Sequence, residues 1–300
     1  MRSRLFALLA PLALMLAAPS GASALNINEN YHPQNEFKLD PWITIKLGGL
    51  DLSINKAVVY IFAACALTVL VMVRVANKMQ QRPGRLQVVV EGYYGLLTEI
   101  TKGNLEGKMI RKWFPFLATV FVFIWFSNML GYLPLPTNTE HKVDIFGLHI
   151  PSLALYAATA NLSVPLALTL VVWVAYHWEG FRAKGVIGFY KGLIPSGTEG
   201  AMRIPIFFIE VISDFVRVVS LSVRLFANIL AGHLLILFMG GGLVVLLNLA
   251  VIGSVVLGGI TGVMAVAFFI FEVGLVATLQ AFIFTTLSAI YLGGAVAAEH

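Results

Sequence analysis

The sequence of 300 residues is poor in charged side chains, which make up 12% of it, whereas soluble domains carry about 25%. No Asp, Glu, Lys or Arg occurs in residues 57–73, 113–139, 150–176, 234–271 and 273–298. Hydrophobic residues make up 59% of the chain, so too little polar sequence remains to cover even one soluble domain. An ordinary soluble protein is therefore excluded, and the long apolar stretches predict membrane-spanning helices.

Cysteine and the common catalytic motifs are also scarce. Cys65 is the only cysteine, which excludes an intrachain disulfide and a cysteine-based metal site. The segment Gly103-x-x-x-Gly107-Lys108 is one residue short of a nucleotide-binding P-loop, and neither HExxH nor GxSxG occurs. The net charge of +5 lies in short clusters between apolar stretches, unlike the basic stripe that binds nucleic acid. We therefore expect no catalytic site within this chain, no cofactor, no metal and no nucleic-acid partner.

The first 24 residues resemble a secretory signal peptide. Two arginines precede an apolar stretch at 5–18, and small residues lead to Ala24, after which we expect cleavage. An uncleaved segment at the membrane interface is the alternative. Residues 25–55 are polar and aromatic and are predicted to form an arm outside the membrane.

The remaining residues, 56–300, predict an all-α polytopic membrane domain with about five transmembrane helices. The expected spans are residues 57–78, 113–133, 152–178, 205–239 and 243–298, with an amphipathic surface helix at 86–110. Basic residues cluster within 74–112 and 179–204, which fall on one side of this arrangement. The positive-inside rule makes that side cytoplasmic, which places the N-terminal arm outside and the C-terminus in the cytoplasm.

The last hundred residues predict two long slanted helices. A helix at 205–239 would be roughly 52 Å long at about 1.5 Å per residue, whereas the hydrocarbon core is about 30 Å thick. Such a helix either breaks or lies steeply tilted. A pair of long slanted helices is favoured, and three ordinary spans are the alternative.

Arg224 is the residue that most requires an explanation. An arginine within a span costs at least about 2.5–3.5 kcal/mol, and no acidic residue lies three or four positions from it. We therefore expect its partner carboxylate to belong to another subunit or to arrive transiently, and a salt bridge within the chain is the alternative. Arg217 differs, because Asp214 lies three residues earlier and can form a local structural pair with it.

A polar stripe runs along the helix that carries Arg224. At about 100° per residue, its members lie within roughly 40° of one line. They are Glu210, Ser213, Arg217, Ser220, Arg224 and Asn228. Carboxylates and hydroxyls in this arrangement suit proton relay, although a set of tolerated buried polar residues is the alternative.

Two further ionisable residues lie in the apolar C-terminal region. His233 faces away from the stripe, and Glu272 lies eight residues before Gln280 on the second long helix. A histidine and a buried carboxylate form a plausible proton-exchanging pair. A histidine that serves only as a hydrogen-bonded packing residue is the alternative.

These motifs resemble subunit a of the F-type ATP synthase. The most specific match is residues 220–233 (SLSVRLFANILAGH), with supporting matches at 279–284 (LQAFIF), 291–292 (YL), 127–131 (SNMLG) and 159–163 (TANLS). The resemblance extends from about residue 56 to residue 298.

The resemblance implies a proton-conducting stator subunit with two half-channels separated by an essential arginine, Arg224. Glu210 and Ser213 would line the cytoplasmic half-channel, and Asn228, His233 and Glu272 the outer one. Gln280 would flank Arg224. The implied partners are the ring of c-subunits, the b-subunit peripheral stalk, the rest of the ATP synthase and membrane lipids, in a bacterial inner membrane. A proton- or sodium-coupled secondary transporter is the alternative, although the sequence lacks the internal repeats typical of that class.

The spacing between Glu272 and Gln280 departs from the family, in which seven residues usually separate these positions. Eight residues leave Glu272 roughly 80° from the Gln280 face of a straight α-helix, whereas seven leave it about 20° away. We therefore predict a π-bulge between them, with the Glu272 carboxylate turned toward His233. An undistorted helix with Val273 on the stripe is the alternative.

Overall fold

The structure, a computed structural model, describes residues 39, 41–47, 50–51, 53–133, 135–145, 148–154, 156–194, 202–243 and 251–297. The predicted signal peptide and most of the predicted arm lie outside these residues. Seven α-helices dominate the described part of the chain, which confirms an all-helical polytopic fold. They are α1 (Lys56–Asn77), α2 (Arg85–Asn104), α3 (Lys108–Gly131), α4 (Ser163–Lys191), α5 (Arg203–Leu237), α6 (Val251–Phe271) and α7 (Ala277–Val296).

Two π-helical segments modify the C-terminal helices. One, Phe238–Gly242, follows α5, and the other, Glu272–Val276, joins α6 to α7. The described residues also form short antiparallel strand pairs. They are β1 (Pro41–Ile43) with β4 (Ile54–Asn55), β2 (Lys46–Leu47) with β3 (Leu50–Asp51), and β5 (Leu135–Ile145) with β6 (Leu148–Ala154).

Four described helices are long and apolar enough to cross a membrane by length and composition. They are Lys56–Asn77, Lys108–Gly131, Ser163–Lys191 and the bent helix Gly253–Val296, which includes the π segment. The 35-residue α5 contains five charged residues, including Arg224. The first, second and fourth expected spans correspond closely to α1, α3 and α5, and the expected amphipathic helix corresponds to α2.

The third expected span begins later than its sequence suggests. Residues 152–178 were expected to form it, but Leu148–Ala154 is strand β6 and α4 begins at Ser163. The charge-free stretch at 150–176 therefore contains a strand, a 3₁₀ turn at Ala158–Ala160 and only then a helix. Apolar composition alone does not distinguish a strand from a helix, which explains the error.

Local hydrogen bonds explain where α1 begins. Asn55 precedes the helix, and its side-chain oxygen accepts a hydrogen bond of 3.1 Å from the Val58 amide. This amide is one of the N-terminal donors that lack a partner within the helix. Asn55 is therefore a typical N-cap residue, and it ends β4 where α1 starts.

The contacts divide the chain into two compact units. The first contains the described residues up to Ala64, Ser127–Asn161 and Ala227–Thr278, and the second contains Cys65–Phe126, Leu162–Phe226 and the described residues from Leu279 onward. In the first unit, Tyr132, Ile236 and Ala277 form a buried cluster.

In the second unit, α2 packs on α3 through Tyr93. The Tyr93 hydroxyl donates a hydrogen bond to the Ala118 carbonyl, and its ring lies 4.8 Å from that of Phe121. Burial raises the pKa of the Tyr93 hydroxyl, which therefore stays protonated and keeps donating. A Lys112–Glu179 ion pair also joins α3 to α4.

Candidate functional site

The π segment confirms the helix distortion predicted between Glu272 and Gln280. It begins at Glu272 and ends at Val276, so the extra residue is absorbed before α7 begins. Glu272 is buried, with 7% of its surface exposed. A carboxyl group at such a site requires polar contacts, because an unpaired one is costly to bury.

Tyr132 supplies that contact and also reaches His233. Its hydroxyl donates a hydrogen bond of 3.0 Å to Glu272 Oε2. Its ring stacks on the His233 ring, with 4.7 Å between centroids and 29° between planes. The expectation that Glu272 turns toward His233 thus takes an indirect form, because both residues contact the same tyrosine.

His233 is fully buried, and each of its ring nitrogens faces a backbone carbonyl. Nδ1 lies 2.9 Å from the Ile229 oxygen, and Nε2 lies 2.9 Å from the Gly131 oxygen. Gly131 ends α3, so its carbonyl has no partner within that helix. Carbonyl oxygens only accept hydrogen bonds, so both contacts are satisfied together only when both ring nitrogens carry protons.

Gly232 allows α5 to approach the Glu272 carboxylate. A Cβ atom at this position would lie 2.7 Å from Glu272 Oε1 and still closer to the carboxyl carbon.

Asn128 holds the residue that follows the π segment, since its amide donates a hydrogen bond of 3.2 Å to the Ala277 carbonyl. Thr159 in turn donates to Asn128 Oδ1 at 2.8 Å.

Arg224 lies in the second unit, on the exposed side of α5. Within the described part of the chain, its guanidinium makes no ion pair or hydrogen bond. The exposed side chains one turn before and after Arg224 are Ser220 and Asn228, and exposed apolar side chains of α5 flank them, including Val219 and Val223, which are 57% and 41% exposed. A charged group is therefore presented on the exposed side of α5, among uncharged side chains and without a local counterion.

The polar stripe changes in exposure along α5. Glu210, Ser213 and Arg217 are half-buried, whereas Ser220, Arg224 and Asn228 are exposed. Asn228 is therefore not part of the buried contacts between Tyr132, His233 and Glu272. Gln280 is buried on α7, and the structure shows no hydrogen bond between it and Arg224.

The local pair expected between Asp214 and Arg217 is not what the structure shows. Asp214 Oδ1 accepts a hydrogen bond of 2.5 Å from the Tyr176 hydroxyl, and Oδ2 accepts one of 2.8 Å from the Trp173 indole. Arg217 instead lies over the Tyr291 ring, 5.7 Å from its centroid. Donors on α4 occupy the carboxylate, and helical spacing alone could not reveal them.

Sequence reasoning missed Tyr132, Asn128, Trp173, Tyr176 and His177. Asn128 belongs to the SNMLG motif noted above, and Tyr132 directly follows that motif, but the motif carries no information about their contacts. Tyr132 and Glu272 are 140 positions apart in the chain. Trp173 and Tyr176 of α4 are aromatic residues of the kind found in any membrane-spanning helix, so nothing in the sequence signalled their contacts.

Comparison with known proteins identifies the family of the chain. The family model described as ATP synthase A chain matches residues 58–293. A protein of Parvibaculum lavamentivorans named ATP synthase subunit a is 33% identical over 269 residues, which are 89% of this chain and 94% of that protein. The proteins of the same name from Paramagnetospirillum magneticum and Rubrobacter xylanophilus are each 32% identical, over 88% and 87% of this chain and 98% and 91% of their own lengths. The chain belongs to the ATP synthase subunit a family.

Proposed function

We propose that this chain is the proton-conducting stator subunit of an ATP synthase, in which Arg224 separates two half-channels and couples proton flow to rotation of the c-ring. Family membership supports a role in ion transport within the ATP synthase complex. The observation that carries the finer assignment is the exposed guanidinium of Arg224, which has no partner within the described part of the chain and lies among uncharged side chains of α5.

The surroundings of Arg224 explain why a rotor carboxylate would suit it. An unpaired charge among apolar side chains is unfavourable in a membrane, so a carboxylate that arrives there is attracted in its ionised form. The attraction releases the proton from that carboxylate and holds the next proton back. A fixed positive charge thus prevents protons from passing directly between the half-channels.

On this proposal the other site residues line the two half-channels, apart from Gln280, which lies beside Arg224. Glu210 and Ser213 line one half-channel, on the cytoplasmic side. Asn228, His233 and Glu272 line the other, with Tyr132 joining His233 to Glu272. Gln280 flanks Arg224 and limits its motion. The observed support is the contact of Tyr132 with both His233 and Glu272 and the partial burial of Glu210 and Ser213.

The partners and the location follow from the same proposal. The c-ring packs on the exposed apolar face of α5, and the b-subunit peripheral stalk holds the chain in place. The chain lies in a bacterial inner membrane after cleavage of residues 1–24, with its N-terminal arm outside and its C-terminus in the cytoplasm. Reporter fusions at Thr139 and Lys191 should therefore report opposite sides, and reports from the same side would contradict this topology.

Replacing Arg224 tests the function itself. Arg224→Ala should lower proton-driven ATP synthesis by about 100-fold or more in an assembled complex, because the fixed positive charge that attracts the moving carboxylate is lost. Arg217→Ala is the matched control, since it removes an arginine two turns away whose observed contact is Tyr291. It should mainly affect assembly, measured as the amount of subunit retained in the purified complex. Normal synthesis with Arg224→Ala would favour a secondary transporter instead.

A further inference from the structure

His177 occupies a buried aromatic enclosure in the second unit that the proposed proton path does not use. Its ring centroid lies 4.0 Å from that of Trp173 and 4.6 Å from that of Tyr176. The rings of Phe181 and Phe189 lie at 5.6 and 5.2 Å. Four aromatic rings therefore surround the imidazole of His177.

A kink in α4 builds the enclosure. Gly185 has φ 71°, a value that favours glycine, and it redirects the helix so that Phe189 returns toward Phe181. Gly180 completes the packing, because a Cβ atom at that position would collide with the Phe189 ring. The enclosure therefore depends on two glycines that the membrane span alone does not require.

The hydrogen-bond partners of His177 also indicate a proton-binding group. Nδ1 lies 2.9 Å from the Trp173 carbonyl, so it must be the donor in that contact. Nε2 lies 3.4 Å from Asp214 Oδ2, and this approach is favourable only when a proton lies on the nitrogen or on the carboxyl group. The pair is thus complete with one proton shared between Nε2 and the carboxylate.

The charged and titratable groups around the pair come from three helices. Tyr176 on α4 donates to Asp214 Oδ1. Arg217 on α5 lies over Tyr291 of α7, whose ring is 5.9 Å from that of Tyr176. Arg217 follows Asp214 by three residues on α5 and thus adds a positive charge near this carboxylate.

We propose that His177 and Asp214 form a proton-binding site that exchanges its proton with Glu210 on the polar stripe. Asp214 follows Glu210 by one helical turn, which places their Cβ atoms about 5–6 Å apart and 40° apart around α5. The proton leaves Nε2, whose electron pair stays on the nitrogen, and passes through the Asp214 carboxylate to the Glu210 carboxylate. This proposal rests on the proposed function and adds a proton-holding site to the half-channel of Glu210 and Ser213.

The test compares variants of His177 in the whole ATP synthase, reconstituted in inverted membrane vesicles. ATP-driven proton pumping is measured from about pH 5 to pH 8, the range in which histidine changes its charge. His177→Gln carries no exchangeable charge and should lower pumping about tenfold with a flattened pH profile. His177→Lys keeps the positive charge beside Asp214 but holds its proton, since lysine has a pKa of about 10.4. It should assemble normally and show the same loss.

The lysine variant separates a proton-exchange role from a structural ion pair. Wild-type pumping and pH profile with His177→Lys would overturn the proposal, because a structural pair needs only the charge. Arg182→Gln, which removes an exposed positive charge from the same helix, is the control and should behave as wild type. If His177→Gln does not assemble, the double variant H177Q/D214N avoids a lone buried charge and should show the same tenfold loss. An inactive Arg224→Ala together with a normal His177→Lys would refute this site while leaving the stator function standing.

Discussion

His233 in the first unit and His177 in the second are both buried, yet they are held by different acceptors. His233 contacts two backbone carbonyls and reaches its acidic neighbour Glu272 only through Tyr132. His177 contacts one carbonyl and approaches the carboxylate of Asp214 directly. His233 is therefore surrounded by backbone acceptors, whereas His177 has a second ionisable group beside it. The proposed proton paths differ in the same way, since a hydroxyl lies between the histidine and the acid in the first unit and none lies between them in the second.

The largest expected effect concerns the acids of the two sites. Glu272→Gln keeps a group that accepts the Tyr132 hydrogen bond but cannot exchange a proton, so pumping should fall by about 100-fold. Asp214→Asn should cost about tenfold, because the stripe still offers Glu210. Pumping is measured in vesicles with equal amounts of assembled complex. Equal losses in the two variants would show that both acids lie on one obligatory path.

Removing the hydroxyl group of Tyr132 or of Tyr176 is a smaller change that tests the same comparison. Tyr132→Phe keeps the ring stacked on His233 but removes the hydroxyl that reaches Glu272, and pumping should fall about tenfold. Tyr176→Phe removes an equivalent hydroxyl from Asp214, which keeps its Trp173 and His177 contacts, so the loss should be only about two- to threefold. A larger loss for Tyr176→Phe would reverse the assignment of the hydroxyl relay.

The smallest effects are expected at the glycines that allow close packing at each site. Gly232→Ala presses on the Glu272 carboxylate and Gly180→Ala on the Phe189 ring, so each should destabilise the complex by about 1–3 kcal/mol. Gly92→Ala on α2 is the control, because nothing lies within 4 Å of an added Cβ there. It should be neutral or stabilising by about 0.5–1 kcal/mol. Thermal dissociation of the purified complex measures all three, and a stable Gly232→Ala would show that the helices can separate without cost.

Features that depend on one helix were predictable from the sequence. Arg224 stood out because a charge in an apolar stretch is visible without a structure, and the structure shows it without a local partner. The distortion after Glu272 followed from an eight-residue spacing, and the π segment confirms it. In each case the relevant geometry is the angle and rise of a single helix.

Features that depend on contacts between distant segments were not predictable. Asp214 was paired with Arg217 because the two are three residues apart, whereas its donors Trp173 and Tyr176 lie on another helix. Tyr132 resembled an ordinary aromatic residue at a helix end until its contacts with Glu272 and His233 were seen. The last three residues of strand β6, 152–154, were taken for helix because apolar composition suits both structures.

The π segment Glu272–Val276 also determines how this chain tolerates changes in length. Deleting one residue from an α-helix rotates everything beyond the deletion by about 100° and shortens the helix by about 1.5 Å. A π segment already contains one residue more than the regular turn needs, so a deletion there restores an α-helix and leaves the side chains on both flanks in their places. Glu272–Val276 is therefore the place in this helix where a one-residue deletion made after Glu272 preserves both the position of Glu272 relative to Gln280 and the packing of α7.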